Sequence, residues 1–245
     1  MNKVIIVGAT SPVGRYIAHE FAMRGFSVMV AGRDRDEVSR IAQDIRVRFR
    51  TQVFEGFVRM EAFEEHEKFV QDAVAVMGGF DGVVVVAGSM EGVEEAKTNP
   101  QALRKVIEIN FSGPASLITL CANRLVAQGR GFVAAVTSVA GDRGRATNYP
   151  YGSAKGGLSL FLQGLRNRLA PKGIQITTIK PGFIDTRMTF GMKKLLFLAS
   201  PKKVAKQAVA AILAKKDVVY CPKIWWFVMT IIKLIPERIF KYLRI

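Results

Sequence analysis

Cysteine and histidine are scarce in this chain of 245 residues, two of each. Cys121 and Cys221 stand alone in apolar sequence, which excludes a disulfide framework or a thiolate metal cluster and leaves buried, reduced thiols. With no signal-peptide pattern after Met1, a cytosolic setting is expected. His19 and His66 are equally isolated, and no metal is assigned. Carboxylates are few, 20 against 36 Lys and Arg, so the chain carries +16. No apolar run reaches the ~20 residues that cross a bilayer as a helix, and no repeat or low-complexity linker divides the sequence. Nothing demands a second domain, and 49% apolar residues suffice for one full core.

Strand-like runs recur at Lys3 to Val7, Ser27 to Ala31, Gln52 to Glu55, Gly82 to Val86, Phe132 to Thr137, Ile174 to Ile179 and Val218 to Cys221, with helix-compatible stretches between them. This alternation predicts an α/β fold with a parallel sheet of about seven strands covered on both faces. The first run turns through Gly8-Ala9-Thr10-Ser11-Pro12-Val13-Gly14 into an apolar-periodic helix over Tyr16 to Arg24. Strand, glycine turn and helix N-terminus make an anion site, because free N–H groups and the helix dipole both point at a pyrophosphate.

The densest chemistry lies in Tyr151-Gly152-Ser153-Ala154-Lys155, with Ser138 thirteen residues upstream at the end of a strand-like run. A phenol and an ammonium four residues apart share one helix face, so the lysine favours the phenolate and brings an acid near pH 10 towards working range. Alone, that spacing is usually a lysine stem packed on a ring. Here it follows Gly8 to Gly14, Val86-Ala87-Gly88 and Asn110 within Ile109-Asn110-Phe111-Ser112-Gly113, and precedes Pro181-Gly182 and Thr186.

In that order these motifs resemble the short-chain dehydrogenase/reductase family, from Asn2 to about Cys221. The resemblance implies a single doubly wound Rossmann domain over residues 1–221, followed by a basic amphipathic tail over 222–245. It implies Tyr151 as general acid, Lys155 lowering its pKa and bonding the nicotinamide ribose, and Ser138 holding the carbonyl oxygen. Asn110 would interrupt its helix and help hold a water that reprotonates Tyr151 through Lys155. The implied cofactor contacts are Gly8, Thr10, Ser11, Val13, Gly14, Arg33, Ala87, Gly88, Pro181, Gly182, Ile184 and Thr186, with Tyr151 and Lys155.

Two positions depart from the family pattern. Pro12 stands where a middle glycine is usual; it lacks an N–H and suits the first position of the helix, with Ser11 or Thr10 capping. Where an aspartate commonly bonds the adenine, the aligned residues are Phe57-Val58, with no carboxylate. After the second strand comes Gly32-Arg33-Asp34-Arg35, with no carboxylate for a ribose diol and a guanidinium able to bond a 2′-phosphate, so NADP(H) is expected over NAD. The other reading is that Arg33 and Arg35 only solvate a loop.

Substrate recognition falls to Asp142-Arg143-Gly144-Arg145 and to Phe183 through Ala199, with Arg143, Arg145, Met188, Phe190, Lys193 and Lys194 as candidates. That mixture suits a long apolar chain bearing an anionic group, or simply a lid packed on the fold. From Lys193 onwards there are twelve Lys and Arg against Asp217 and Glu237, which concentrates +10 in this segment. After Pro222 the chain is very apolar. Lys233, Glu237, Lys241 and Arg244 draw a polar stripe opposite Ile232, Ile235, Ile239 and Leu243. Paired tryptophans beside basic charge suit an anionic leaflet; packing over the site of its own or a partner chain is the competing explanation.

The expected function is therefore NADPH-dependent reduction of a ketone on a membrane-lipid-linked substrate. Within the family the pattern looks most like the decaprenylphosphoryl-2-ketoribose reductases, which implies a keto-sugar on a polyprenyl phosphate. The alternatives are a long-chain keto lipid or 3-oxoacyl group and, in another class, a non-catalytic NADP-binding regulator. The expected placement is cytoplasmic, peripheral on the inner face of a membrane, as a homodimer or homotetramer. No nucleic-acid motif accompanies the charge, and nucleic acid is not an expected partner.

Overall fold

The computed structural model describes residues 2–191 and 195–243. Its elements run β1 (Lys3–Val7), α1 (Pro12–Ala22), β2 (Ser27–Gly32), α2 (Arg35–Phe49), β3 (Val53–Phe57), α3 (Phe63–Met77), β4 (Gly82–Val85), α4 (Pro100–Ile107), α5 (Gly113–Gln128), β5 (Gly131–Val136), α6 (Tyr149–Leu169), β6 (Ile174–Pro181), α7 (Pro201–Leu213), β7 (Val218–Cys221), α8 (Ile224–Leu234) and α9 (Glu237–Phe240). The seven strands form one parallel sheet in the order β3-β2-β1-β4-β5-β6-β7. The order reverses between β1 and β4, which opens a crevice at the carboxyl ends of the strands where α/β sheets take their ligands.

The continuous apolar strands are explained by two cores. Val4, Ile6 and Val84 face α1, α2 and α7, while Ile5, Val7, Val83 and Val85 face α3, α5 and α6. Alternate side chains therefore serve opposite cores, and every position of the strand is apolar. The third strand reaches Phe57, beyond the expected Glu55, and the sixth continues to Pro181.

The first helix begins at Pro12, four residues before the apolar periodicity announces it. Ser11 is the cap: its Oγ accepts from Gly14 N at 3.1 Å and donates to Gly8 O at 2.8 Å, so the turn is tied before the helix starts.

The expected polar stripe along the tail does not form on one helix. Ile235 is extended (φ −65°, ψ 122°), as a residue before proline prefers, and Pro236 separates α8 from the short α9. Arg244 lies outside the described residues. Among those described, no helix is long and apolar enough to cross a membrane. The inner side of α8 buries Trp225 and Met229 against Val139 and Tyr220, with Phe183 alongside. Its outer side leaves Trp226 60%, Phe227 56% and Leu234 76% exposed, with Ile231 between them.

Candidate active site

The turn after β1 is shaped for close approach of a ligand. Gly8 has φ +82°, and a methyl at Gly14 would overlap the Gly8 carbonyl, so the chain folds tightly enough to bare the N-terminus of α1. Gly88, after β4, comes so near Lys155 Nζ and Asn110 Oδ1 that a side chain there would displace them. Beyond β2, Arg33 is exposed. The guanidinium of Arg35 lies 4.1 Å from the centre of the Phe57 ring, the residue at the expected adenine position. Both arginines line a cleft of about 660 Å³ beside β3 and α3.

Asn110 sits in a wide π-type turn over Glu108–Ser112 that joins α4 to α5. Its side chain is spent on the backbone: Nδ2 donates to Val106 O (3.0 Å) and Ser89 O (2.9 Å), while Oδ1 accepts from Ser89 N (3.0 Å). This amide interrupts the helix and pins the segment after β4 beside Lys155.

Ser138 lies two residues past the end of β5 and starts a tight turn, its Oγ accepting from Ala140 N at 3.1 Å. Tyr151 and Lys155 occupy the first turns of α6, both buried. Burial pushes the Tyr151 phenol up to about 12, with a hydrogen bond from Ser138 pulling the other way. Burial brings Lys155 down to about 7. Its ammonium donates to Ala87 O (2.9 Å) and Val136 O (3.3 Å) and stands 5.9 Å from the centre of the Tyr151 ring. The expected lowering of the phenol by this lysine is therefore reversed here, because desolvation acts on both groups and the ammonium is turned to the backbone.

A second cavity, about 300 Å³, unites these residues. Ser11, Val13, Ala87, Gly88, Ser138, Tyr151, Lys155, Pro181, Gly182, Ile184 and Thr186 all line it. Of the substrate candidates, Arg145 and Met188 line it as well. Phe190 is 91% exposed and lies outside it. Lys193 and Lys194 fall outside the described residues. The segment after β6 is closed at its base by pairing of Ile184 with Ala199.

Arg143 turns away towards the tail. It donates to Lys233 O and Ile235 O at 3.1 Å each and to Glu237 Oε2 at 2.7 Å, and its guanidinium lies 4.1 Å from the Phe240 ring centre. The carbonyls at the end of α8 are thus satisfied from the loop after Ser138. On the other side of that loop, Asp142 accepts from Lys180 Nζ (2.5 Å) and Tyr220 OH (2.6 Å). Trp225 backs the cavity wall, its indole packed against Gly182 so tightly that a methyl there would overlap it.

The profile of the family described as short chain dehydrogenase matches residues 2–194. The chain belongs to this family. Among relatives of the dehydrogenase, an uncharacterized oxidoreductase of Mycobacterium tuberculosis is 29% identical over 238 residues, 97% of this chain and 95% of that one. A 3-oxoacyl-(acyl-carrier-protein) reductase of Aquifex aeolicus is 24% identical over 185 residues, 76% of this chain and 75% of that one. A short-chain dehydrogenase from Sphingobium yanoikuyae, solved in complex with NADPH, superposes with a TM-score of 0.80 at 19% identity over 97% of both chains, a likeness of fold.

Two residues of the dehydrogenase's cleft escape a reading of the sequence. Asn148 and Met90 line the cavity. Neither lies in a motif. Only the proximity of Asn148 to Tyr151 could have drawn notice.

Proposed function

We propose that the dehydrogenase uses NADP(H) to reduce a ketone carried by a membrane-lipid-linked substrate. The observation that carries this reading is the double use of α8: its inner face packs behind Val139 and Phe183, which line the cleft holding Ser138, Tyr151 and Lys155, and its outer face is bare and apolar. The residues fit the cofactor. The bared N-terminus of α1, with Gly8, Thr10, Ser11, Val13 and Gly14, suits a pyrophosphate. Arg33 suits a 2′-phosphate, and Pro181, Gly182, Ile184 and Thr186 suit the nicotinamide end. When bound, the reduced nicotinamide supplies the hydride.

The chain's own groups supply the rest. Ser138 hydrogen-bonds the carbonyl oxygen and stabilises charge developing there. Tyr151 donates its proton to that oxygen, which completes the alcohol. Lys155 bonds the ribose hydroxyls and, once charged by those acceptors, favours the phenolate left on Tyr151. Asn110 positions the segment around Ser89 so that Lys155 keeps its place.

An apolar helix exposed on one side and bordered by Lys223, Lys233, Arg238 and Lys241, all exposed, suits an anionic leaflet at the cytoplasmic face. A keto-sugar on a polyprenyl phosphate is matched by Ser138, Arg145, Asn148 and Tyr151, a few polar groups in a cleft otherwise lined mainly by apolar side chains. The relationship to a 3-oxoacyl reductase favours a second reading, a long-chain keto or 3-oxoacyl substrate. A homodimer or homotetramer through α6 and α7 would cover the exposed Leu160 and Leu213.

The test is flotation with anionic and neutral vesicles together with NADPH oxidation on extracted membrane lipid. The intact protein should float with anionic vesicles and oxidise NADPH when extracted lipid is added; Phe227→Asp with Leu234→Asp should abolish flotation, and Tyr151→Phe should abolish oxidation. Turnover of small ketones without any vesicle binding or lipid turnover would sink the lipid-linked reading.

A further inference from the structure

The loop between Ser138 and Tyr151 carries two arginines, and α8 satisfies only one. Arg145 lines the catalytic cavity. Its Nε is buried without a hydrogen-bond partner, and its Nη2 lies 3.4 Å from Met229 Sδ, a weak acceptor. Among the described residues no carboxylate bridges to it. Asp142, which acts on it through space, is already held by Lys180 and Tyr220, and Glu237 is held by Arg143. A guanidinium cannot shed its proton, so partial burial without a counter-charge costs stability unless a ligand brings one.

Asn148 is joined to Arg145 by a single turn, its N–H donating to Arg145 O at 3.2 Å. It lines the same cavity, and its Oδ1 is buried with no partner. An unmet cation and an unmet amide therefore stand together next to the proton donor.

We propose that Arg145 and Asn148 form a specificity-determining subsite for a substrate bearing an anionic group, phosphate or carboxylate, beside a hydroxyl. The planar fork of Arg145 takes two oxygens of either anion at once. A hydroxyl both donates and accepts, so it satisfies the amide of Asn148 in either orientation. A plain acyl chain offers neither group. The inference rests on the reading of this cleft as a carbonyl-reducing site.

The test uses para-hydroxybenzylacetone, its phosphate monoester, its carboxymethyl ether, and a catechol form of the phosphate with a free neighbouring hydroxyl. Oxidation of NADPH by the intact protein should show kcat/KM at least tenfold higher for the anionic probes, with the gain in KM. Arg145→Gln should bring the anionic-to-neutral ratio close to one, and Arg145→Lys should restore part of it. Asn148→Leu should remove the advantage of the catechol form alone. The ranking of phosphate against carboxymethyl probe tells the two anions apart. Calorimetric titration of the same probes into NADPH-loaded Tyr151→Phe protein measures binding without turnover. Arg145-dependent binding of the phosphate with no oxidation of any ketone would uphold the subsite and remove the reductase reading. Equal reduction of neutral and anionic probes, unchanged by Arg145→Gln, would overturn the subsite and leave the reductase standing; so would absence of binding by every anionic probe.

Discussion

Replacing Lys155 with methionine probes the least ordinary electrostatic feature of the site. Lys155 is 2% exposed, its ammonium faces two carbonyls, and burial lowers its pKa from 10.5 to about 7. The unfolded chain holds this proton up to the ordinary lysine range, whereas the folded chain releases it near neutrality. Between those limits the unfolded state binds more protons, so stability rises with pH. The cost of a charged Lys155 is full below pH 7, shrinks above it and vanishes past the unfolded pKa. At 1.36 kcal/mol per unit, moving from pH 7 to about 9.5 relieves roughly 3 kcal/mol in the native protein and nothing in Lys155→Met. Methionine also leaves two carbonyls without a donor, a cost of about 1–3 kcal/mol each that does not depend on pH. The informative quantity is thus the change with pH of the difference between the two proteins. Urea or thermal unfolding without cofactor should show it shifting by about 6–12 °C in Tm across that window for a chain of this length. A constant difference would refute the picture of an unpaired buried ammonium. Saturating NADPH should flatten the dependence, because ribose hydroxyls and cofactor phosphates favour the charged lysine.

Two further perturbations separate the ends of the cleft. Arg33→Ala should weaken NADPH by about tenfold to a hundredfold, the worth of charge-assisted hydrogen bonds to a phosphate, and NADH by less than about twofold; fluorescence titration of both cofactors checks it, and equal losses would mean that Arg33 solvates its loop. Gly182→Val should push the Trp225 indole off its seat at a cost of about 1–3 kcal/mol. With only two tryptophans and Trp226 already exposed, the red shift in emission reports Trp225, and an unshifted spectrum would deny the close contact.

The sheet was legible because a strand buried on both faces needs apolar residues at every position, as Val4 to Val7 and Val83 to Val86 show. The cleft was legible where chemistry and spacing coincide, at Ser138, Tyr151 and Lys155. It was illegible where the partner is remote. Arg143 and Arg145 look equivalent in sequence, yet the first is claimed by carbonyls ninety residues away. Trp225 is buried and its neighbour Trp226 exposed, and only the packed helix tells which is inside. The Tyr151 acidity is illegible for a related reason: helical spacing predicts proximity to Lys155 but not the desolvation that both share.

The Arg143 contacts make the substrate wall a two-part unit. The loop over 138–145 supplies the cap for α8, and α8 supplies the surface against which Val139 and Arg145 rest. Neither segment can be exchanged alone. A chimera that imported the loop from a relative would leave the α8 carbonyls bare, and one that imported only the tail would strand the arginine. Divergence of this part of the protein is therefore constrained to paired changes, and engineering of its selectivity has to move both segments as a single cassette while the cofactor end is left as it stands.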